Sequence, residues 1–251
     1  MNIFKTLTTM ALAWVLAAPV AAADLRIGVE GAYPPFSSVD ADGNLLGFDI
    51  DIARALCEEM QTECELVQQD WDGIIPALNA KKFDAIIASM SATEERRELV
   101  DFTGHYYKDG ARFARKKGSG IRVSYKGLAG KAVGVQRGTV TDNFLTNEFK
   151  GAEIKRYGEL TDAFADMEAG RLDLVLADFL TMSSWVKDND DYELAGRTYT
   201  TAKYFPEIAI AVRKGEEDLR DRLSAAIKAL RANGKYKAIN DKYFDFDIYG
   251  R

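Results

Sequence analysis

The sequence predicts an α/β fold built from two similar halves. Three observations carry the prediction. Short apolar strands alternate with amphipathic helices from residue 25 onward. One strand-and-helix pattern occurs twice. Each copy sets polar side chains at the carboxyl ends of buried strands, where open α/β sheets bind ligands.

Taken in order, 25–30 reads as a strand. Residues 48–60 read as a helix, because Phe48, Ile52, Ala55, Leu56 and Met60 fall on one face. A strand at 64–68, a helix at 72–80 and a buried strand at 83–89 follow. Thr93 is placed to cap a helix that begins at Glu94. Strands are expected at 131–136, 153–157 and 172–178, with helices at 139–149 and 159–169 between them. A strand at 207–213 precedes helices at 216–231 and 235–243, broken at Gly234.

The repeat is visible residue by residue. Ala80-Lys-Lys-Phe-Asp84-Ala-Ile-Ile-Ala-Ser89 stands against Ala169-Gly-Arg-Leu-Asp173-Leu-Val-Leu-Ala-Asp178, and Ile27-Gly-Val-Glu30 against Val133-Gly-Val-Gln136. The strand-end polar residues are Glu30 and Ser89 in one half, Gln136 and Asp178 in the other. Two such ends facing each other make a cleft suited to a small molecule.

Composition excludes several functions. A formal charge of −6 over 251 residues repels phosphate backbones, so nucleic acid is not an expected partner. One histidine and two cysteines cannot build a zinc site of the usual kinds, so no metal is expected. There is no P-loop and no GxGxxG, and no serine–histidine or cysteine–histidine arrangement. No cofactor and no catalytic residues are therefore expected.

The start reads as an export leader, 1–23. Lys5 is followed by an apolar run that ends in Ala21-Ala22-Ala23, a small-residue cleavage site. The run is shorter than the ~20 residues a helix needs to cross a bilayer. Cleavage after Ala23 and a periplasmic location are expected. Cys57 and Cys64 are not spaced as CxxC, and in an oxidising compartment the default is a structural disulfide. The alternative is two free buried thiols.

Several residues are candidates for binding. Arg96 lies near a helix start, where a guanidinium and free amides suit a carboxylate; the alternative is a solvated arginine paired with an acid. Gly138 and Thr139 precede another helix, to cradle an anion or simply to cap it. Asp178 ends an apolar strand and needs a partner, either a ligand ammonium or a group of the protein. Glu30, Tyr33 and Trp71 can hold a cation between charge and aromatic faces, or the rings can be packing. His105 reads as surface or inter-lobe packing.

Together these residues resemble the amino-acid-binding periplasmic proteins of ABC importers, solute-binding protein family 3. The lysine/arginine/ornithine- and histidine-binding members are most similar. The stretches that carry the resemblance are Arg26-Ile-Gly-Val-Glu30-Gly-Ala-Tyr33-Pro-Pro-Phe36, Gly47-Phe-Asp-Ile-Asp-Ile-Ala53, Asp72-Gly-Ile-Ile-Pro76, Ala88-Ser-Met-Ser-Ala-Thr-Glu-Glu-Arg96, Gly134-Val-Gln-Arg-Gly-Thr139 and Lys242-Tyr-Phe-Asp-Phe-Asp-Ile-Tyr-Gly250. They span the whole chain after the leader, and the Cys57/Cys64 spacing also matches.

The resemblance implies a two-lobed clamshell, with 24–110 and 206–251 as lobe 1 and 111–205 as lobe 2, joined by two crossing strands. It implies that Arg96, with amides near Ser91, Gly138 and Thr139, holds an α-carboxylate. Asp178, with Ser89 in the stretch Ala88-Ser89-Met90, would hold the α-ammonium. Tyr33 and Trp71 would sandwich the side chain, and Glu30 would face its cationic tip. Glu30 stands where the family often has Asp. Gln136 stands where cationic binders are often apolar, and would add a hydrogen bond. The approach to the return strand, Phe205-Pro-Glu207, lacks the glycines usual there. The implied function is capture of a cationic L-amino acid by a monomer that delivers it to an ABC transporter permease. Two other classes compete. Periplasmic cyclohexadienyl dehydratases resemble this fold, and turnover of prephenate or arogenate would mark one. A receptor's sensor domain would need a membrane span or an output domain, which the sequence does not display.

Overall fold

The computed structural model describes residues 24–250. The leader read at 1–23 and its cleavage site lie outside them. The first half runs through β1 (Leu25–Val29), β2 (Ala32–Tyr33), β3 (Ser37–Val39), β4 (Leu45–Leu46), α1 (Phe48–Glu59) and β5 (Cys64–Gln68). A 3-10 turn at Trp71–Gly73 leads into α2 (Ile74–Asn79), β6 (Ala85–Ile86), α3 (Glu94–Leu99) and β7 (Val100–Tyr107). The second half comprises β8 (Ala111–Lys116), β9 (Ala132–Gln136), α4 (Val140–Glu148), β10 (Glu153–Tyr157), α5 (Leu160–Glu168), β11 (Leu174–Asp178), α6 (Phe179–Asp188) and β12 (Tyr192–Tyr199). The chain closes with β13 (Ile208–Arg213), α7 (Glu217–Ala232) and α8 (Lys235–Tyr243).

Two five-stranded sheets have the same plan, β5-β1-β6-β13-β7 and β10-β9-β11-β8-β12. In each, the first three strands are parallel and the fourth is antiparallel to both its neighbours. The chain leaves the first sheet through 108–110 and returns through 200–207. Each sheet therefore takes its fourth strand, β13 or β8, directly after a crossing. A small sheet, β2-β3-β4, extends the first half.

The repeat has a physical cause. Gly28 in β1 lies against Phe83, and a Cβ there would meet its ring at 2.5 Å. Gly134 in β9 lies against Leu172 in the same way, also at 2.5 Å from a built Cβ. Phe83 and Leu172 are equivalent in the repeat. The aspartate after each one accepts a hydrogen bond from the strand that carries the glycine, β1 or β9. Arg26 N–H donates to Asp84 Oδ2 at 3.0 Å, and Ala132 N–H to Asp173 Oδ2 at 2.9 Å. Glycine permits the close approach, and the aspartate fixes the register beside it.

Most expected elements are present, with instructive differences. The helix expected at 72–80 is split into the 3-10 turn and α2. The strand expected over 83–89 pairs only at Ala85–Ile86, because the chain turns out of the sheet into Ser89, which has a left-handed φ of 52°. Sequence patterning did not anticipate the short strands β2, β3 and β4, nor β7, β8, β12 or α6. A disulfide joins Cys57 to Cys64, tying the end of α1 to the start of β5. Among the described residues no helix is long and apolar enough to cross a membrane.

The two glycine contacts predict unequal costs. Gly28→Ala must displace Phe83, a rigid ring that is fully buried. It should lower stability by about 1–3 kcal/mol. Gly134→Ala meets the flexible end of Leu172 and should cost less. Urea unfolding of both variants measures this; equal costs would remove the ring as the cause.

Candidate functional site

The strand ends of the two halves meet. Glu30, just past β1, and Gln136, the last residue of β9, occupy equivalent places in the repeat. Gln136 Nε2 donates to Glu30 Oε1 at 2.5 Å and to the Gly158 carbonyl at 3.1 Å. Asp178 ends β11, and its Oδ2 accepts from the Tyr33 hydroxyl at 2.8 Å. Arg96, in the first turn of α3, donates Nη1 to the Ser91 carbonyl at 2.9 Å and Nη2 to the Gly138 carbonyl at 3.3 Å. Arg137 pairs with Asp72 at the rim. Four polar contacts thus cross from one half to the other, and the cleft between them is closed.

All the expected binding residues except Met90 and Gly138 line one small cavity between the halves. The Met90 side chain is fully buried in the core, and its carbonyl accepts from Ala209 N–H. The Gly138 amide donates to Asp142 Oδ2 at 3.2 Å, while its carbonyl serves Arg96. Thr139 lines the cavity and also caps α4, accepting from Asp142 N–H. Thr93 caps α3 by accepting from Arg96 N–H, as expected, and so fixes where the arginine leaves the helix. Trp71 lies beneath the Arg96 guanidinium, 4.9 Å from its ring centre. His105 lies elsewhere, against Tyr249 and 3.3 Å from Glu207 Oε2.

Burial sets the electrostatics. Glu30 is 5% exposed, and desolvation pushes its pKa to about 7, against the hydrogen bond from Gln136. The charged groups that act on it, Glu159, Asp49 and Asp70, are all acids and push the same way. Burial also raises Asp178, opposed by the Tyr33 hydrogen bond and by Arg96. Asp109, on the crossing, is raised by burial and by the charge of Asp178. Desolvation lowers Arg96 to about 10, against Asp178 and Glu95, so it stays protonated at neutral pH. The cavity therefore offers a cation and an anion at one wall, and at another a carboxylate that no cation among the described residues pairs with.

Two residues escaped the sequence reading. Val140 lines the cavity as the first residue of α4; an apolar residue after a cap carries no chemical signal. Asp49 lies beneath the site and accepts from the Ser89 hydroxyl and the Tyr106 phenol, each at 2.9 Å. A signal existed, since Asp49 shares the apolar face of α1 with Ile52, Ala53 and Leu56 at helical spacing.

A model of the bacterial extracellular solute-binding proteins, family 3, matches residues 25–246. The L-arginine-binding protein of Pseudomonas aeruginosa is 49% identical over 244 residues, 94% of each chain. The histidine-binding periplasmic protein of Escherichia coli K12 is 37% identical over 233 residues, 90% of each. Among solved structures, a Salmonella typhimurium periplasmic binding protein of high arginine specificity superposes with a TM-score of 0.83. It is 35% identical, over 88% of this chain and 98% of that one.

Glu30 gives a pH signature in the ligand-free protein. Its folded pKa of about 7 exceeds the ordinary 4.5. The folded state therefore holds its proton more tightly, and this contribution is full below about 4.5 and lost as pH rises through 7. Relative to Glu30→Gln, the protein should lose about 3 kcal/mol of stability between those limits. Chemical unfolding of both proteins at pH 4.5 and 8 tests this; parallel pH profiles would refute it.

Proposed function

The chain belongs to the bacterial extracellular solute-binding proteins of family 3, and on that premise we propose that it captures a cationic amino acid, arginine foremost, and delivers it to the membrane permease of an ABC importer. The observation that carries this reading is Glu30. Among the described residues its buried carboxylate receives one hydrogen bond, and the charges that act on it most, Glu159, Asp49 and Asp70, are acids. A guanidinium supplies both the missing charge and planar donors that a carboxylate can accept side by side.

The opposite wall suits a zwitterion. The Arg96 fork takes the α-carboxylate, beside Ser91 and Thr139. Asp178 takes the α-ammonium together with Ser89, whose hydroxyl donates to Asp49 and keeps its lone pairs to accept from the ligand. Tyr33 and Trp71 line the path between the two ends and present aromatic faces to the ligand's cationic side chain. The arginine-binding relatives support arginine over shorter cations.

In this reading 24–110 with 206–251 forms one lobe and 111–205 the other. The crossings at 108–110 and 200–207 are the hinge, and ligand shifts an open–closed equilibrium. The protein acts as a periplasmic monomer, exported by a leader cleaved after Ala23. It is a binder and not an enzyme; a dehydratase acting on prephenate or arogenate needs no cation partner at the Glu30 end.

Calorimetric titration with arginine, ornithine, lysine, histidine, glutamate and leucine tests the proposal. Arginine should bind tightest, and glutamate and leucine should not bind; a preference for either would overturn it. Asp178→Asn should abolish binding of every cationic amino acid in the panel. Glu30→Gln should cost arginine about 2–5 kcal/mol and blur the ranking. A guanidinium favours ionised Glu30, so arginine binding at pH 7 should release protons. The heat should therefore differ between phosphate and Tris buffers in the native protein but not in Glu30→Gln.

A further inference from the structure

The Gly47-Phe-Asp49 stretch does not line the cavity, yet it supplies the group on which Ser89 rests. Asp49 is fully buried near the start of α1. Its two oxygens are both used: Oδ2 accepts from Ser89 Oγ and Oδ1 from the Tyr106 phenol, each at 2.9 Å. Tyr106, itself fully buried, accepts in turn from the Ser89 backbone N–H at 3.1 Å. The aspartate and the tyrosine thus grip Ser89 by its side chain and by its backbone.

Ser89 needs that grip. Its φ of 52° lies in the left-handed region, which a residue with a Cβ avoids and glycine enters freely. This residue is where β6 leaves the sheet and turns into the cleft. Two residues on, the Ser91 carbonyl holds the Arg96 guanidinium. The conformation of one serine therefore aims both Ser89 and the acceptor that orients Arg96.

We infer that Asp49 is a positioning residue for ligand binding: through Tyr106 and the Ser89 hydroxyl it holds Ser89 left-handed and so presets the turn 88–91 for the amino-acid head group. Asp49 does not touch the ligand. The inference rests on the reading that this turn receives arginine.

A double-mutant cycle tests it, with arginine affinity as the readout. Asp49→Asn keeps the shape but replaces one of the two acceptor oxygens with a donor. It should weaken arginine binding about tenfold. In a Ser89→Gly background, glycine adopts the left-handed turn unaided, and the same substitution should cost less than about threefold. Amide NMR shifts of Ser89–Ser91 in the ligand-free protein should move in Asp49→Asn. Tyr106→Phe, which cuts the same link at its phenol, repeats the cycle in case the aspartate variant does not fold, and must give the same pattern. An equal loss in both backgrounds, or no loss in either, overturns the positioning role. A native protein that fails to bind arginine at all refutes the arginine reading instead, and the NMR shifts alone then decide whether Asp49 holds the turn.

Discussion

Charged side chains at the carboxyl ends of buried strands must find partners, and the arrangement of the cleft follows from how they do so. Glu30 and Asp178 lose hydration when the halves come together, which raises both carboxyls. The protein answers each with a single neutral donor. Tyr33 reaches Oδ2 of Asp178, and Gln136 reaches Oε1 of Glu30. The second oxygen of each carboxylate is left for a ligand, so an ammonium or a guanidinium can join these contacts rather than displace them. The two halves are thus held together in part by the protein's own contacts, and in the proposed reading a ligand adds the rest.

The strength of that partial closure sets how much ligand energy goes into affinity. A neutral hydrogen bond contributes about 0.5–1.5 kcal/mol net, somewhat more to a charged acceptor. The Asp72–Arg137 pair at the rim is half exposed and adds little. A closed form favoured too strongly by the protein's own contacts would slow release to a permease; one favoured too weakly would reduce affinity by the fraction of protein that is competent. Neutral donors facing buried acids are a moderate solution. Replacing either with a lysine would neutralise the acid permanently and remove the reason for a cationic ligand.

Much of this was legible in the sequence because the repeat marks what the framework demands. Gly28 with Phe83 and Gly134 with Leu172 are steric pairs, and Asp84 and Asp173 are register locks, so both halves keep them. The strand-end residues stood out as polar groups closing apolar runs. Other features depended on contacts distant in sequence. The stacking of Arg96 on Trp71 and the link from Tyr33 to Asp178 join residues from separate elements, and no local pattern announces them. The short pairing of β6 was misread because apolarity continues through Ala88, while the left-handed turn at Ser89 depends on Asp49, a residue 40 positions earlier.

The duplicated plan also explains why the site could diverge between halves. Positions within the strands are fixed by packing: a Cβ at Gly28 or Gly134 has nowhere to go, and Asp84 or Asp173 answers a backbone N–H in its own half. Positions at or just past the strand ends carry no such duty. There the equivalents differ, Glu30 against Gln136 and Ser89 against Asp178. Glu30 and Gln136 face each other across the cleft, so the difference between them becomes complementarity. An acid in one half meets an amide in the other, and only one of the two is charged. Two identical ends would have paired acid with acid or amide with amide, leaving either unrelieved repulsion or no charge to recognise a cation. The asymmetry needed to read a polar, directional ligand therefore arises at the positions the framework leaves free, and the fold tolerates its change without altering its core.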